Sequence, residues 1–221
     1  SEIFGKIEAN GRVFLMNPNG MIFGETARIN VGSFAAGAYE IDTGSLNKNG
    51  GFTFTTGSGL VENNGKITTQ DGGSVALIGR TVSNHGEINA RFGKVHLLSA
   101  DTAALSFDAD GLIQFSVSKE VLANSMDALA SNESAISNTG QLQADGGYVV
   151  LEAHAARNVF ANVVNNEGVI QANRISNEGG VIRLEGVGGN VINSGDLYAT
   201  GMADKQTGGE ITIMGDRVGI F

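Results

Sequence analysis

Cysteine is absent, so neither a disulfide framework nor a thiolate metal site can form, and a chain crossing membranes unfolded would meet no premature crosslink. Proline occurs once, at Pro18, which leaves strand ladders uninterrupted elsewhere. No apolar run reaches the roughly 18 residues that a membrane-spanning helix needs. The segment Ser1-Glu2-Ile3-Phe4-Gly5 lacks the basic start and apolar stretch of a signal peptide, so the expectation is that such an address was removed or that the chain is a fragment. Positive charge is scarce: 14 Lys and Arg stand against 23 Asp and Glu, a net charge of -9. That balance repels a phosphate backbone, and with no clustering of the basic residues along the chain nucleic acid is not an expected partner.

Apolar residues are plentiful. With 41% hydrophobic and only 17% charged residues the chain is too apolar for a solvated coil, and 33 glycines in 221 residues are too few for collagen. The length suffices for a sizeable core, and residues 1–221 are read as one domain. Its order comes from a repeat. Val/Ile-x-Asn-x-Gly-x-Ile/Leu occurs at Val61 to Ile67, Val82 to Ile88, Ile136 to Leu142, Val164 to Ile170 and Val191 to Leu197. Each copy is followed by a glycine, one spacer and an alternating apolar run: Val75-Ala76-Leu77, Val95-His96-Leu97, Val149-Val150-Leu151, Ile182-Arg183-Leu184 and Ile211-Thr212-Ile213.

The repeat asparagines Asn63, Asn84, Asn138, Asn166 and Asn193 stand 21, 54, 28 and 27 residues apart, so one copy is expected to be missing or displaced in the long interval. Short β-branched strands with Gly or Asn at each corner define a β-solenoid. The expected fold is all-β, a right-handed parallel β-helix, with handedness taken from that of parallel crossovers. Glycine at the corners would permit positive φ, and the asparagines would stack into an amide ladder. Leucine-rich repeats share the length, but their leucine lattice and helical segment are absent. Hairpin turns of an antiparallel sandwich are the competing reading, yet they favour adjacent Asn-Gly and need not recur with the same apolar partners. The count expected is about eight to ten coils, with the β-branched residue and the Leu two later sharing a face.

Two regions leave the pattern. Ser1 to Asp42 holds the strand-like runs Arg12 to Met16 and Met21 to Phe23 around Asn17-Pro18-Asn19-Gly20. Asp101 to Glu133 is read as an excursion from the coil, a hairpin or a short helix, because Val121, Leu122, Met126 and Leu129 have helical spacing. Ala153 to Val164 is helix-like in composition, but its Val-rich end favours strand.

Catalytic groups are sparse. His85, His96 and His154 lie in different repeats without metal-ligand spacing, and His96 is expected on a solvated outer face. Asp108 and Asp110 lack the rest of a calcium loop, and Gly186-Val187-Gly188-Gly189-Asn190 reads as a corner rather than a phosphate loop. Gly57-Ser58-Gly59 lacks the spacing of a nucleophile elbow. No catalytic residue, metal or cofactor is therefore assigned. A polysaccharide lyase or hydrolase stays as an alternative on fold analogy alone, since parallel β-helices also carry those activities.

The stretch from Asn10 to Gly24, containing Asn17-Pro18-Asn19-Gly20, and its continuation Ala27 to Ala36 closely resemble the secretion domain of the filamentous haemagglutinin family, exoproteins exported by two-partner secretion. Met21 replaces the Ile of the family's Asn-Pro-Asn-Gly-Ile motif. Ser106 to Ile113 and Asp145 to Asn166 are similar too, so the resemblance covers nearly the whole chain. The family's amino-terminal cap and its Asn-Pro-Asn-Leu motif have no counterpart, which implies the later two thirds of such a domain. The resemblance implies a non-enzymatic, adhesin-like exoprotein, secreted or at the cell surface of a Gram-negative bacterium. It also implies an outer-membrane β-barrel transporter as partner, recognition through Asn17, Pro18, Asn19 and Gly20, β-helix folding outside the cell, and a host-cell or glycan receptor for the rest of the exoprotein. A self-assembling structural solenoid is the alternative, because Ile211-Thr212-Ile213 and Val218-Gly219-Ile220-Phe221 run apolar where a polar cap is expected, and end-to-end self-association would follow.

Overall fold

The computed structural model describes residues 1–42, 52–54, 59–107, 113–122, 134–175 and 179–221. Among them are three parallel sheets, of eight, seven and seven strands, that together form a parallel β-helix. One turn uses one strand from each sheet, as in Leu60–Asn63, Lys66–Thr69 and Val75–Gly79. Seven complete turns are followed by Val218–Ile220 of an eighth, fewer than the eight to ten expected. Part of the chain goes into the antiparallel strands described below instead.

Equivalent residues stack rung upon rung. Val75 pairs with Val95, Val95 with Val149, Val149 with Ile182, and Ile182 with Ile211. Leu77, Leu97, Leu151, Leu184 and Ile213 form the adjoining column. Both columns point inward because they lie two residues apart on a pleated strand. All but Ile211 and Ile213, in the last described turn, are wholly buried, and each buried Leu contributes roughly 1.5–3 kcal/mol.

The long interval hides no missing copy. Thr81–Asn84 pairs directly with Ile136–Asn138, so Asn84 stacks on Asn138 as if the intervening residues were absent. Nor do residues 1–37 lie outside the coil: Arg12–Met16 of the first turn pairs with Ser33–Gly37 of the second, and Met21–Phe23 of the second with Leu60–Asn63 of the third, while Ile41–Asp42 leaves for the antiparallel sheet. Phe23 occupies the rung of Asn63, which is why the motif search missed it.

The glycine of Asn-x-Gly is required for space rather than for φ. Gly65, Gly86, Gly140, Gly168 and Gly195 are not in the left-handed region, but a Cβ on Gly86 would strike the Gly65 carbonyl oxygen, and the same collision recurs at Gly140, Gly168 and Gly195. Positive φ belongs to the next corner, at Gly72, Gly146 and Gly179. Phe92 takes the equivalent corner with φ 57, its ring packed where a Cβ on Gly146 would otherwise sit.

One outer face is covered. Ile41–Asp42, Phe52–Phe54, Thr102–Phe107 and Ile113–Lys119 form a four-stranded antiparallel sheet. Ala103 and Leu105 of this sheet pack with Ala35, Tyr39, Ala76, Ile78, Leu98 and Ala100 in a second apolar cluster, separate from the coil interior. Arg80 and Asp101 form an ion pair at 2.9 Å beside it, and the Tyr39 hydroxyl donates to the Ala100 carbonyl. Burial and the Asp101 carboxylate push the Tyr39 phenol above its usual range. Val121 then bridges to Ala155. Residues 123–130 of the expected helix lie outside the described residues, and Ala153 to Val164 contains strand ends and turns rather than helix.

Candidate functional site

Arg12–Met16 and Met21–Phe23 are joined by Asn17-Pro18-Asn19-Gly20, a turn closed by a hydrogen bond from the Gly20 N–H to the Asn17 carbonyl at 2.9 Å. Pro at the second position and Asn at the first suit such a turn. Asn17 holds it together: its Nδ2 donates to Ser1 Oγ at 2.7 Å and to the Gly20 carbonyl at 3.1 Å, and its Oδ1 accepts from the Asn19 N–H at 3.1 Å. Gly20 has φ 94, and a Cβ there would lie 2.8 Å from the Leu60 carbonyl oxygen, so the turn is seated on the following coil. Asn19 differs. It is exposed, and its side chain makes no hydrogen bond among the described residues.

The repeat asparagines lie inside. Asn63, Asn84, Asn138 and Asn166 are fully buried and Asn193 nearly so. Each Nδ2 donates to the Oδ1 of the next: Asn63 to Asn84 at 2.8 Å, Asn84 to Asn138 at 2.8 Å, Asn138 to Asn166 at 2.7 Å and Asn166 to Asn193 at 2.7 Å. Each also donates to the carbonyl of the glycine two residues on, which satisfies the second amide hydrogen. The ladder is bounded by Phe23 on one side and Ile220 on the other.

His96 points outward, as its place in the strand requires, but it is 2% exposed rather than solvated. Its Nε2 lies 3.0 Å from Glu152 Oε2, while His154 Nε2 lies 2.8 Å from Glu152 Oε1. Stacking therefore brings together two histidines that the sequence keeps in separate repeats. Burial pushes the His96 imidazole below its usual range, against the Glu152 hydrogen bond, so we assign it the neutral form with Nε2–H donating. Burial raises the Glu152 carboxyl, but the hydrogen bonds from His154 and His96 override it and hold the group below the usual carboxylate range. Glu152 escaped the sequence reading; aligning the apolar runs places it one coil beyond Leu98, diagonal to His96. His85 is exposed, with Nδ1 2.7 Å from Thr139 Oγ1. Among the described residues no group of three His, Cys, Asp or Glu side chains is arranged to hold a metal. Asp108, Asp110, Gly57 and Ser58 lie outside the described residues, and of the expected corner Gly186 to Asn190 the first two residues continue the strand Val181–Val187, so Gly188 to Asn190 alone turn the chain toward Val191–Asn193.

A parallel β-helix with an internal asparagine ladder, an Asn-Pro-Asn-Gly corner and an antiparallel sheet over one face has the architecture of an exoprotein secretion domain. The chain belongs to the TPS secretion domain family, whose model matches residues 1–199. It is 33% identical over 194 residues to a heme/hemopexin-binding protein of Haemophilus influenzae strain Rd, covering 83% of this chain and 20% of that protein. A second heme/hemopexin-binding protein of Haemophilus influenzae is 30% identical over 208 residues, with 83% of this chain and 21% of the relative covered. The chain thus spans about a fifth of the length of the curated relatives it matches. The crystal structure of the HMW1 secretion domain from Haemophilus influenzae shares the fold, with TM-score 0.58 and 23% identity over 97% of this chain and 65% of that one. TPS exoproteins are exported across the outer membrane of Gram-negative bacteria, to the surface or released, and two-partner secretion implies a transporter in that membrane.

Proposed function

We propose that this chain is the part of the exoprotein that the outer-membrane barrel transporter recognises, with Asn19 at the tip of the Asn17 to Gly20 turn as the contacting side chain. The observation that carries the reading is the division within the turn: Asn17 spends its amide on the turn, whereas Asn19 offers an exposed amide with its donors and acceptor uncommitted among the described residues. The test is secretion of the exoprotein with Asn19→Ala, alongside thermal melting of the purified chain. The reading requires lower secretion at unchanged melting temperature; normal secretion would remove Asn19 from the contact.

The domain also nucleates folding outside the cell. Each coil presents a strand edge to the next, so order spreads by nearest-neighbour pairing. The exoprotein as a whole is read as adhesin-like, on the resemblance of Asn10 to Ala36 to the filamentous haemagglutinin family. The heme and hemopexin named for the relatives are assigned to no residue here, because the match covers about a fifth of those proteins. Family membership does not favour the self-assembling or polysaccharide-cleaving alternatives.

A further inference from the structure

The outward row on the sheet that carries the asparagines has its own pattern. In register it reads Ile22, Glu62, Ser83, Ser137, Asn165 and Ile192, four polar rungs bracketed by isoleucine at each end. A cleft of about 480 Å³ lies over these four rungs, within the size range of ligand sites. Leu60, Ser134 and Asn162 form one wall and His85 the other.

Part of the cleft is already oriented. Asn64 Nδ2 donates to Glu62 Oε1 at 2.7 Å, Thr139 Oγ1 lies 2.7 Å from His85 Nδ1, and Asn165 Nδ2 donates to Glu167 Oε1 at 2.8 Å. By contrast the side chains of Ser83, Ser134, Ser137 and Asn162 are half-buried and make no hydrogen bond among the described residues. Fixed polar groups beside uncommitted ones give a preorganised site with capacity left for a ligand.

The lining selects the ligand. Among the described residues no Lys or Arg lines the cleft and Glu62 does, so a phosphate, sulfate or carboxylate meets one repelling group and no lysine or arginine counter-charge. Among the described residues Leu60 is the one apolar side chain in the lining, too little for a hydrophobic ligand or the side-chain pockets of a bound peptide. What remains complementary is an uncharged chain of hydroxyls, able both to donate to and to accept from serine and amide groups. Three rung intervals span about 14 Å at roughly 4.8 Å each, so the ligand is short and extended along the coil axis. We propose that this cleft binds a neutral oligosaccharide of about three sugars. The proposal is separate from transporter recognition: the cleft starts at Leu60, beside Gly20, and extends along the axis over Ser83, Ser137 and Asn165 on the three coils beyond, whereas the proposed transporter contact is the exposed Asn19.

The purified chain is titrated by calorimetry and ligand-observed NMR with neutral trisaccharides of the malto, cello, chito and lacto series, and with a sulfated trisaccharide. At least one neutral trisaccharide should bind, the sulfated one more weakly. Ser137→Tyr, which fills the cleft, should abolish binding, and Ser83→Ala with Asn165→Ala should weaken it about tenfold, the equivalent of one or two hydrogen bonds. The double variant, with folding followed by circular dichroism, keeps the test decisive should the tyrosine disturb the coil. Absence of binding across all four series, tighter binding of the sulfated sugar, or wild-type affinity in the folded double variant would overturn the proposal. Secretion is not read in this experiment, so its failure leaves the transporter proposal standing.

Discussion

Leu97 and Leu98 are neighbours in one strand, yet they serve regions built by different means. Leu97 enters the coil interior, where Leu77 and Leu151 repeat it on adjoining rungs, whereas Leu98 enters the cluster beneath the antiparallel sheet, among Tyr39, Ala100 and Leu105. The stack is periodic and holds a buried polar ladder that fixes its register. The cover is aperiodic, joined to the stack by apolar contact, the Arg80–Asp101 pair and the Val121–Ala155 bridge. Periodic packing transmits a defect along the whole axis, while an aperiodic cover can loosen by itself.

The largest effect should come from breaking the stack. Asn138→Ala removes the acceptor of Asn84 and the donor to Asn166 in a fully buried site, and should lower stability by about 3 kcal/mol in urea unfolding. Equal loss from alanine at the half-buried, outward-facing Asn165 would deny the ladder its role. Next comes the Leu97 and Leu98 pair. Leu97→Ala should cost about 3 kcal/mol of global stability, whereas Leu98→Ala should cost about 2 kcal/mol and chiefly speed amide exchange in Thr102–Phe107. If Leu98→Ala instead speeds exchange evenly through the stack, the two regions are one cooperative unit.

Acid should attack the outer face of the stack, where His96 and Glu152 meet. A histidine whose folded value lies below its unfolded one contributes stability that is whole above about pH 6.5 and declines as pH falls below it. Glu152, also depressed, contributes stability present above about pH 4.5 and lost as pH falls further. Melting followed from pH 8 to 2 should therefore fall in two stages, and His96→Phe should flatten the upper one. An unchanged upper stage in that variant would contradict the neutral assignment. The smallest effect on stability is expected at the turn tip: Asn19→Ala should change it by less than about 0.5 kcal/mol. Asn17→Ala, which loses three hydrogen bonds, should cost about 1–2 kcal/mol.

The periodic part was legible because its chemistry recurs. Asn-x-Gly and the β-branched-x-Leu/Ile run are forced on each of the five coils that share the ladder, by the amide stack, the carbonyl-to-glycine contact and the inward columns, so five copies suffice to read the fold. The first two turns were not legible, since Phe23 replaces asparagine at the ladder's edge and removes the marker. Positive φ explains the glycines at Gly72, Gly146 and Gly179 but not those of Asn-x-Gly, where lack of room for a Cβ selects the same residue. His96 shows a further limit of local pattern: alternation tells which way a side chain points, but its burial and its Glu152 partner depend on which residues neighbouring coils bring beside it, a long-range placement with no local signal. Of the turn, Asn17 to Gly20 were recognisable as a motif, but the contrast between Asn17 and Asn19 depends on which amide faces Ser1 and Gly20, and that is known only in three dimensions.

On the proposed division of the turn, Asn17 holds the fold while Asn19 meets the transporter. The most direct test of that division is the affinity of the purified outer-membrane transporter, in detergent, for the wild-type chain, Asn17→Ala and Asn19→Ala. Asn19→Ala should bind about tenfold more weakly with wild-type melting, a loss typical of one interfacial anchor. Asn19→Ala binding as tightly as wild type would contradict it.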